Sequence, residues 1–171
     1  IVMPDFYVST DFEKDGEVTL LQKASEGRGI DLVLMGDIYS DRQIESGLYR
    51  QDMELAADAF FNVEPYKSFR HLFNVYMVTA VSTVEKMGQG STAFATQYAG
   101  VAITGYDPLA IEYTLKAVGE ERMDDAMAVV LVKDTGDGGT CFYNPPASSN
   151  NDWGSGFSVS YFSVNDRQEA L

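Results

Sequence analysis

The stretch GIDLVLMGD, residues Gly29–Asp37, decides the fold class. It is a short apolar run with glycine at its start and Gly-Asp at its end. A run of this kind is typical of a strand that is buried on both faces, as in a parallel sheet covered by helices. The stretch therefore predicts a central strand with Ile30–Met35 as its core.

A helix is predicted to follow this strand. Ser40 is suited to be its N-cap, and Gln43 stands at the capping-box position. Gly47 is expected to weaken the helix without ending it, whereas Pro65 is expected to end it. The apolar residues that recur at helical spacing are Ile44, Leu48, Leu55, Ala59 and Val63.

Two more segments have the composition of strands, Phe73–Ser82 and Ala126–Asp134. Between them, Asp107-Pro108 is a favourable helix start, and Gly119 is placed to cap the end of that helix. Strands that alternate with helices in this way predict parallel pairing with right-handed crossovers. The strands predicted to be adjacent and parallel in one sheet are Ile30–Met35, Phe73–Thr79 and Ala128–Val132.

The C-terminal part of the chain has a different pattern. TGDGG, residues 135–139, is typical of a turn, and a long polar loop follows the short strand TCFYN. We expect Gly138–Tyr143 to be an antiparallel edge strand, with the alternating stretch Phe157–Val164 between it and the third parallel strand. The predicted fold class is α/β, a three-layer sandwich with a mixed, mostly parallel sheet.

The sequence predicts a lead-in segment at the N-terminal end of the chain and the start of a helix at its C-terminal end. Residues 1–28 are predicted to be a polar lead-in with one or two edge strands, and residues 29–171 to belong to the main domain. At the other end, VNDRQEAL begins like a helix, with Asp166 as N-cap and Glu169 at the capping-box position. We therefore expect a helix to start there and to continue beyond Leu171.

Composition excludes some functions. The 171 residues carry a formal net charge of -14, which disfavours nucleic acid and anionic membranes as partners. No apolar run is long enough to span a bilayer. With 5 prolines, 15 glycines and 45% hydrophobic residues, the chain has an ordinary globular composition. The sequence does not indicate an oligomeric state.

The residues that usually carry catalysis are few, because the chain has one histidine and one cysteine. His71 is expected to be a packed or surface residue, and Cys141 a small buried one. A zinc site needs three or four ligands, and the acids of DTGDGG have the wrong spacing for a calcium loop. No catalytic or metal-binding residue is therefore predicted within this chain.

Five stretches together resemble one family, the zinc metallopeptidases of family sixty-four, known as the IgA-peptidase family. The most specific part is MGD followed by a helix, EPYKSFR and FNVY. The resemblance extends over most of the chain from about Val18 onward. The stretches are GIDLVLMGDIYS (29–40), FFNVEPYKSFRHLFNVYMV (60–78), GSTAFAT (90–96), RMDDAMAVVLVKDTGDGGTCFY (122–143) and GFSVSYF (156–162).

The resemblance implies a metzincin-like fold and a protein or peptide substrate. It also implies zinc as the cofactor of the full-length protein, with the HExxH helix that binds it beyond Leu171 and no zinc ligand within this chain. Without that helix, one face of the last strand is expected to be uncovered, exposing Val159 and Tyr161 or Phe157 and Val164. The resemblance further implies a periplasmic, cell-surface or secreted location.

The resemblance assigns substrate binding to the predicted edge strand. An exposed edge offers unpaired N–H and C=O groups to an extended peptide, and glycines there allow another backbone to approach closely. The residues implied to bind the substrate are Gly138, Gly139, Thr140, Cys141, Phe142 and Tyr143.

Two other functions are compatible with parts of the sequence. One is a non-catalytic module that binds peptides or proteins with a peptidase-like fold, which requires the zinc motif to be missing beyond Leu171. The other is a small-molecule enzyme with a flavodoxin-like or Rossmann-like sheet. Enzymes of that class need a glycine-rich turn after the first strand to bind phosphate, and MGDIYS lacks such a turn.

Overall fold

The computed structural model of the chain describes residues 6–134, 136, 138–143 and 157–164. The described part contains strands, α-helices and two 3₁₀ turns at Arg70–Leu72 and Glu120–Asp125. The strands are β1 (Val18–Gln22), β2 (Ile30–Asp37), β3 (Phe73–Val78), β4 (Gln97–Ala99), β5 (Ala102–Thr104), β6 (Met127–Val132), β7 (Gly139–Tyr143) and β8 (Ser158–Ser163). The helices are α1 (Asp41–Glu45), α2 (Leu48–Phe60), α3 (Tyr66–Phe69) and α4 (Asp107–Val118).

Six strands form one mixed sheet in the order β1-β3-β2-β6-β8-β7. The four central strands β3, β2, β6 and β8 are parallel, whereas β1 and β7 pair antiparallel at the two edges. The predicted trio of adjacent parallel strands is confirmed, and so is the place of β8 between β6 and β7. The edge strand β1 comes from the predicted lead-in segment.

Both faces of the sheet are covered by helices, which confirms the three-layer α/β sandwich. Alternate residues of β2 point to opposite faces. Val33 and Met35 join the core that packs against α4, and Leu32 and Leu34 join the core that packs against α2. No helix among the described residues has the length and apolar character needed to cross a membrane.

Glycine separates α1 from α2, so the prediction of one helix through Gly47 is wrong. Gly47 adopts a left-handed conformation with φ 86°, which ends α1 and starts α2 at Leu48. Helix α2 then ends at Phe60, several residues before Pro65. The predicted cap of α4 is confirmed, since Gly119 follows Val118 with φ 81°.

The open face of β8 is not the one that was predicted. Phe157, Val159 and Tyr161 are fully buried, because they face the core under α4 and the segment that precedes it. The alternate residues Ser158, Ser160 and Phe162 point to the other face, where Phe162 is 39% exposed. The expectation of an uncovered face is therefore wrong for Val159 and Tyr161, and in the alternative pair it is wrong for Phe157.

Candidate functional site

Strand β7 is the edge that the sequence predicted. It pairs antiparallel with β8, from Gly139 opposite Phe162 to Tyr143 opposite Ser158. Within the described residues no strand pairs with its other side. The backbone on that side is therefore available to a partner wherever nothing else in the chain contacts it.

The hydrogen bonds show which residues of β7 face outward. The Ser163 N–H donates to the Gly138 carbonyl at 3.2 Å, so Gly138 faces β8. The Gly139 N–H points the other way and donates to the Val101 carbonyl at 3.2 Å. Because this direction alternates along an antiparallel strand, Cys141 and Tyr143 also present their N–H and C=O groups outward.

The β4–β5 hairpin packs against the first residues of β7. The Ile103 N–H donates to Thr140 Oγ1 at 3.0 Å, beside the bond between Gly139 and Val101. A Cβ on Gly138 would lie 2.6 Å from the Val101 carbonyl oxygen, and one on Gly139 would lie 2.6 Å from the Phe162 ring. The close approach expected at these glycines is therefore made here by the chain's own hairpin and by Phe162.

Cys141 is exposed, so the expectation of a buried cysteine is wrong. The reason is its place on the edge strand, which within the described residues pairs with β8 on one side. Residues two apart on a strand direct their side chains to the same face of the sheet. The Cys141 side chain therefore lies on the face to which a side chain at position 139 would point. That face carries the apolar groove that Gly139 helps to line.

An apolar groove of about 560 Å³ lies on the α2 face of the sheet next to β7. It runs between α2 and the strands β2, β6 and β8, and Phe162 is its exposed wall at the β7 end. Its lining is Leu32, Leu34, Ala56, Ala59, Phe60, Val63, Tyr66, Val129, Leu131, Gly139, Phe162 and Ser163. The groove places an apolar surface beside the edge strand.

A buried carboxylate organises the loops at the carboxyl end of β2. Asp37 is fully buried and accepts hydrogen bonds from three hydroxyls and three backbone N–H groups. The shortest is the 2.6 Å bond from Thr96 Oγ1. Such a set of donors satisfies a buried negative charge without a cation. The donors are the hydroxyls of Ser82, Thr92 and Thr96 and the backbone N–H groups of Ile38, Phe94 and Thr96.

Asp37 was not identified as a site residue from the sequence. The acid and several of its hydrogen-bond donors nevertheless lie in stretches that resemble the family. The acid ends MGD, and three of its donor residues belong to GSTAFAT. The available indication was an acid directly after a buried strand. Because Thr96 immediately precedes β4, the carboxylate fixes the point at which the hairpin begins.

The other end of the hairpin is fixed by Tyr161 of β8. Its hydroxyl donates to Asp107 Oδ1 at 2.6 Å, and a Cβ on Gly105 would clash with its ring. Burial raises the pKa of Asp107, and the hydrogen bond from Tyr161 lowers it in part. Burial and the same hydrogen bond raise the pKa of Tyr161, so its phenol stays protonated at neutral pH.

A charged cluster lies at the carboxyl ends of β2 and β6. Arg42 binds both carboxylate oxygens of Glu85, at 2.6 and 2.5 Å, and Ser40 Oγ donates to the same carboxylate at 2.6 Å. The bond from Arg42 holds the pKa of Glu85 below its usual value, although burial acts against it. Burial lowers the pKa of the neighbouring Lys133, and nearby acids, first Glu85, raise it in part. The cluster fixes the loop that follows β3 against α1.

His71 is exposed in the 3₁₀ turn before β3, as expected for a surface residue. The strands β2, β6 and β8 separate β3 from the edge strand β7. In the part of the chain that the structure describes, no group of three or more His, Cys, Asp or Glu side chains is arranged to hold a metal ion. The described residues therefore do not fit a zinc site.

A family model described as IgA peptidase M64 matches residues 18–164. The match begins at β1 and ends just after β8, so it includes the whole six-stranded sheet. No individual curated protein matches the chain. Since the match extends over most of the sequence, the chain belongs to the IgA peptidase M64 family.

Proposed function

We propose that this chain is the substrate-binding part of a zinc metallopeptidase that hydrolyses peptide bonds in proteins. Membership of the IgA peptidase M64 family supports the reaction class and a protein or peptide substrate. The observation that carries the binding role is the antiparallel edge strand β7, which has no strand on its outer side within the described residues. The proposed binding segment is Gly138–Tyr143. Within it, Cys141 and Tyr143 would pair with the substrate backbone, because the Gly139 N–H already donates to the Val101 carbonyl.

The spacing of the outward-facing groups suits an extended peptide. Cys141 and Tyr143 lie two residues apart, about 7 Å along a strand, and an extended peptide repeats its own outward groups at the same interval. A peptide residue directly opposite Cys141 would direct its side chain to the face that carries the apolar groove. The backbone would supply affinity, and the groove would favour apolar side chains.

Zinc is the proposed cofactor of the full-length protein, with ligands and general base C-terminal to Leu171. Within that protein, the residues of this chain bind and orient the substrate backbone. The proposed location is periplasmic, at the cell surface or secreted. Fractionation of cells that express the full-length protein tests the location, since recovery from the cytoplasm alone contradicts it.

The substitution Cys141→Pro tests the binding role. Proline removes the outward N–H of Cys141 and leaves the hydrogen bonds to β8 in place, because residue 141 does not face β8. We expect binding of unfolded, carboxymethylated casein to weaken about tenfold, the effect of losing about 1.4 kcal/mol. Fluorescence anisotropy of labelled casein measures the affinity.

The matched control is Cys141→Ala, which keeps the N–H and removes the thiol. It should bind casein as the native chain does, and both variants should unfold at nearly the same urea concentration. Equal affinities of the proline and alanine variants for casein would contradict the proposed binding role of β7. In the full-length protein, peptide binding without zinc or proteolysis would instead support a non-catalytic binding module.

A further inference from the structure

We infer that the β4–β5 hairpin, residues 97–104, is a fixed stop at one end of the substrate-binding edge, and that Val101 determines where an extended substrate begins to pair with β7. This inference rests on the proposed role of β7 and adds a specificity determinant to it. Its starting point is the hydrogen bond from the Gly139 N–H to the Val101 carbonyl.

The hairpin tip occupies the place of one substrate residue. The Gly139 N–H is the first outward donor of β7, and the Val101 carbonyl accepts it at 3.2 Å, as the carbonyl of a paired peptide would. Gly138 packs so tightly against the same carbonyl that a Cβ would approach to 2.6 Å. A peptide that pairs with Cys141 therefore cannot continue in the plane of the sheet past Gly139.

The hairpin is held firmly enough to act as a stop. Asp37 binds Thr96 at its start, and Tyr161 packs on Gly105 at its end. In between, Ile103 is fully buried in the core. The turn itself is short: Gly100 has φ 69° at the first central position, which is typical of a tight type II′ hairpin turn.

The hairpin tip also presents the Val101 side chain to a substrate that pairs with β7. Val101 is 83% exposed, although its carbonyl is engaged. A substrate residue next to the one paired with Cys141, on the hairpin side, would meet this valine. The hairpin therefore selects protein segments that pair with Cys141 and Tyr143 and that end or bend away at Val101.

A tethered peptide tests the stop. The peptide acetyl-TTTTCTTTT-amide is joined by a disulfide to Cys141, the chain's single cysteine. Directly opposite residues that exchange hydrogen bonds have α-carbons about 5.5 Å apart, which a disulfide can bridge. Amide hydrogen exchange, followed by NMR, then reports which arm of the peptide is paired.

The matched variant replaces Ala99–Ala102 by Asn-Gly. It keeps Tyr98 and Ile103, closes the hairpin with a favoured two-residue turn and moves the tip back by about 3.4 Å. In the native chain we expect one arm of the peptide to be protected, the arm along Tyr143. In the shortened variant we expect both arms to be protected.

A measurement on the native chain without peptide is independent of the variant's folding. The Gly139 amide should exchange about tenfold more slowly than the Cys141 amide, since among the described residues Gly139 has a backbone acceptor and Cys141 has none. Equal rates, protection of both arms in the native chain, or one protected arm in both proteins would overturn the stop. No protection in either protein would overturn the proposed function, and the stop with it.

Discussion

Tyr161 on β8 donates a 2.6 Å hydrogen bond to the buried carboxylate of Asp107 at the first residue of α4. The bond joins β8, the strand beside the edge strand β7, to the helix that covers one face of the sheet. It also secures Gly105 and the end of the β4–β5 hairpin against the Tyr161 ring.

Replacing Tyr161 by phenylalanine removes the donor from Asp107, which is only 9% exposed. An unsatisfied buried acceptor of this kind lowers the free energy of unfolding by about 1–3 kcal/mol. Urea unfolding followed by circular dichroism measures the change. Tyr7→Phe is the matched control, because it removes a similar bond to the more exposed Asp41, and its effect should be the smaller one.

The pH dependence of stability should reveal the raised pKa of Asp107. A carboxyl whose pKa is raised in the folded state contributes its full stabilisation below its ordinary pKa of 3.8 and loses it as the pH rises through the folded value. Asp107→Asn does not titrate and keeps an acceptor for Tyr161. The stability of this variant relative to the native chain should therefore increase from about pH 3 to pH 7. A difference that stays flat over this range contradicts the raised pKa.

Asp37→Asn should be among the most damaging substitutions of the chain. The amide carries no charge, and its NH₂ group faces donors where the carboxylate accepted hydrogen bonds, so we expect a loss of about 3 kcal/mol or more. Thr92→Val removes one of the donors and should lose about 1.5–3 kcal/mol. The Asp37 variant should also speed amide exchange at Gly139. An unchanged rate there would show that Asp37 does not hold the hairpin.

Arg122 neutralises Asp31, which is 2% exposed at the start of β2. Its guanidinium binds both carboxylate oxygens, at 2.5 and 2.6 Å. Arg122→Leu leaves this carboxylate buried without a cation and should destabilise the fold by about 3 kcal/mol. Arg28→Leu is the control, since Arg28 pairs with Asp125 at the surface and should change stability by less than about 1 kcal/mol. Similar losses in both variants contradict the difference in burial.

This chain by itself should neither retain stoichiometric zinc after dialysis nor cleave casein. The physical reason is the lack of a metal-binding group of side chains within the described residues. Elemental analysis and a casein digestion assay check the two expectations. One equivalent of zinc bound by residues of this chain, or casein cleavage that a chelator abolishes, would prove the expectation wrong. A known zinc endopeptidase that cleaves casein serves as the positive control.

The parallel strands of the sheet and its reversed edge were predictable from sequence, whereas the β4–β5 hairpin was not. The apolar run in Gly29–Asp37 indicated burial on both faces, and the alternating Phe157–Val164 indicated two different faces. Local pattern is enough here because side chains alternate between the two faces of a strand, so the apolar pattern shows which faces are buried. The chain reverses between β6 and β7, and β8 is parallel to β6, so β7 is antiparallel to β8.

What the sequence by itself determined is the α/β class, the parallel centre of the sheet and the reversed edge. The tertiary structure alone decided that Asp37 binds Thr96, that Val101 covers Gly139 and that Phe162 rather than Tyr161 lies on the open face. These contacts join residues far apart in the chain, 59 positions in the case of Asp37 and Thr96. Periodicity shows which residues are buried, but the partners that bury them are set by packing across the whole domain.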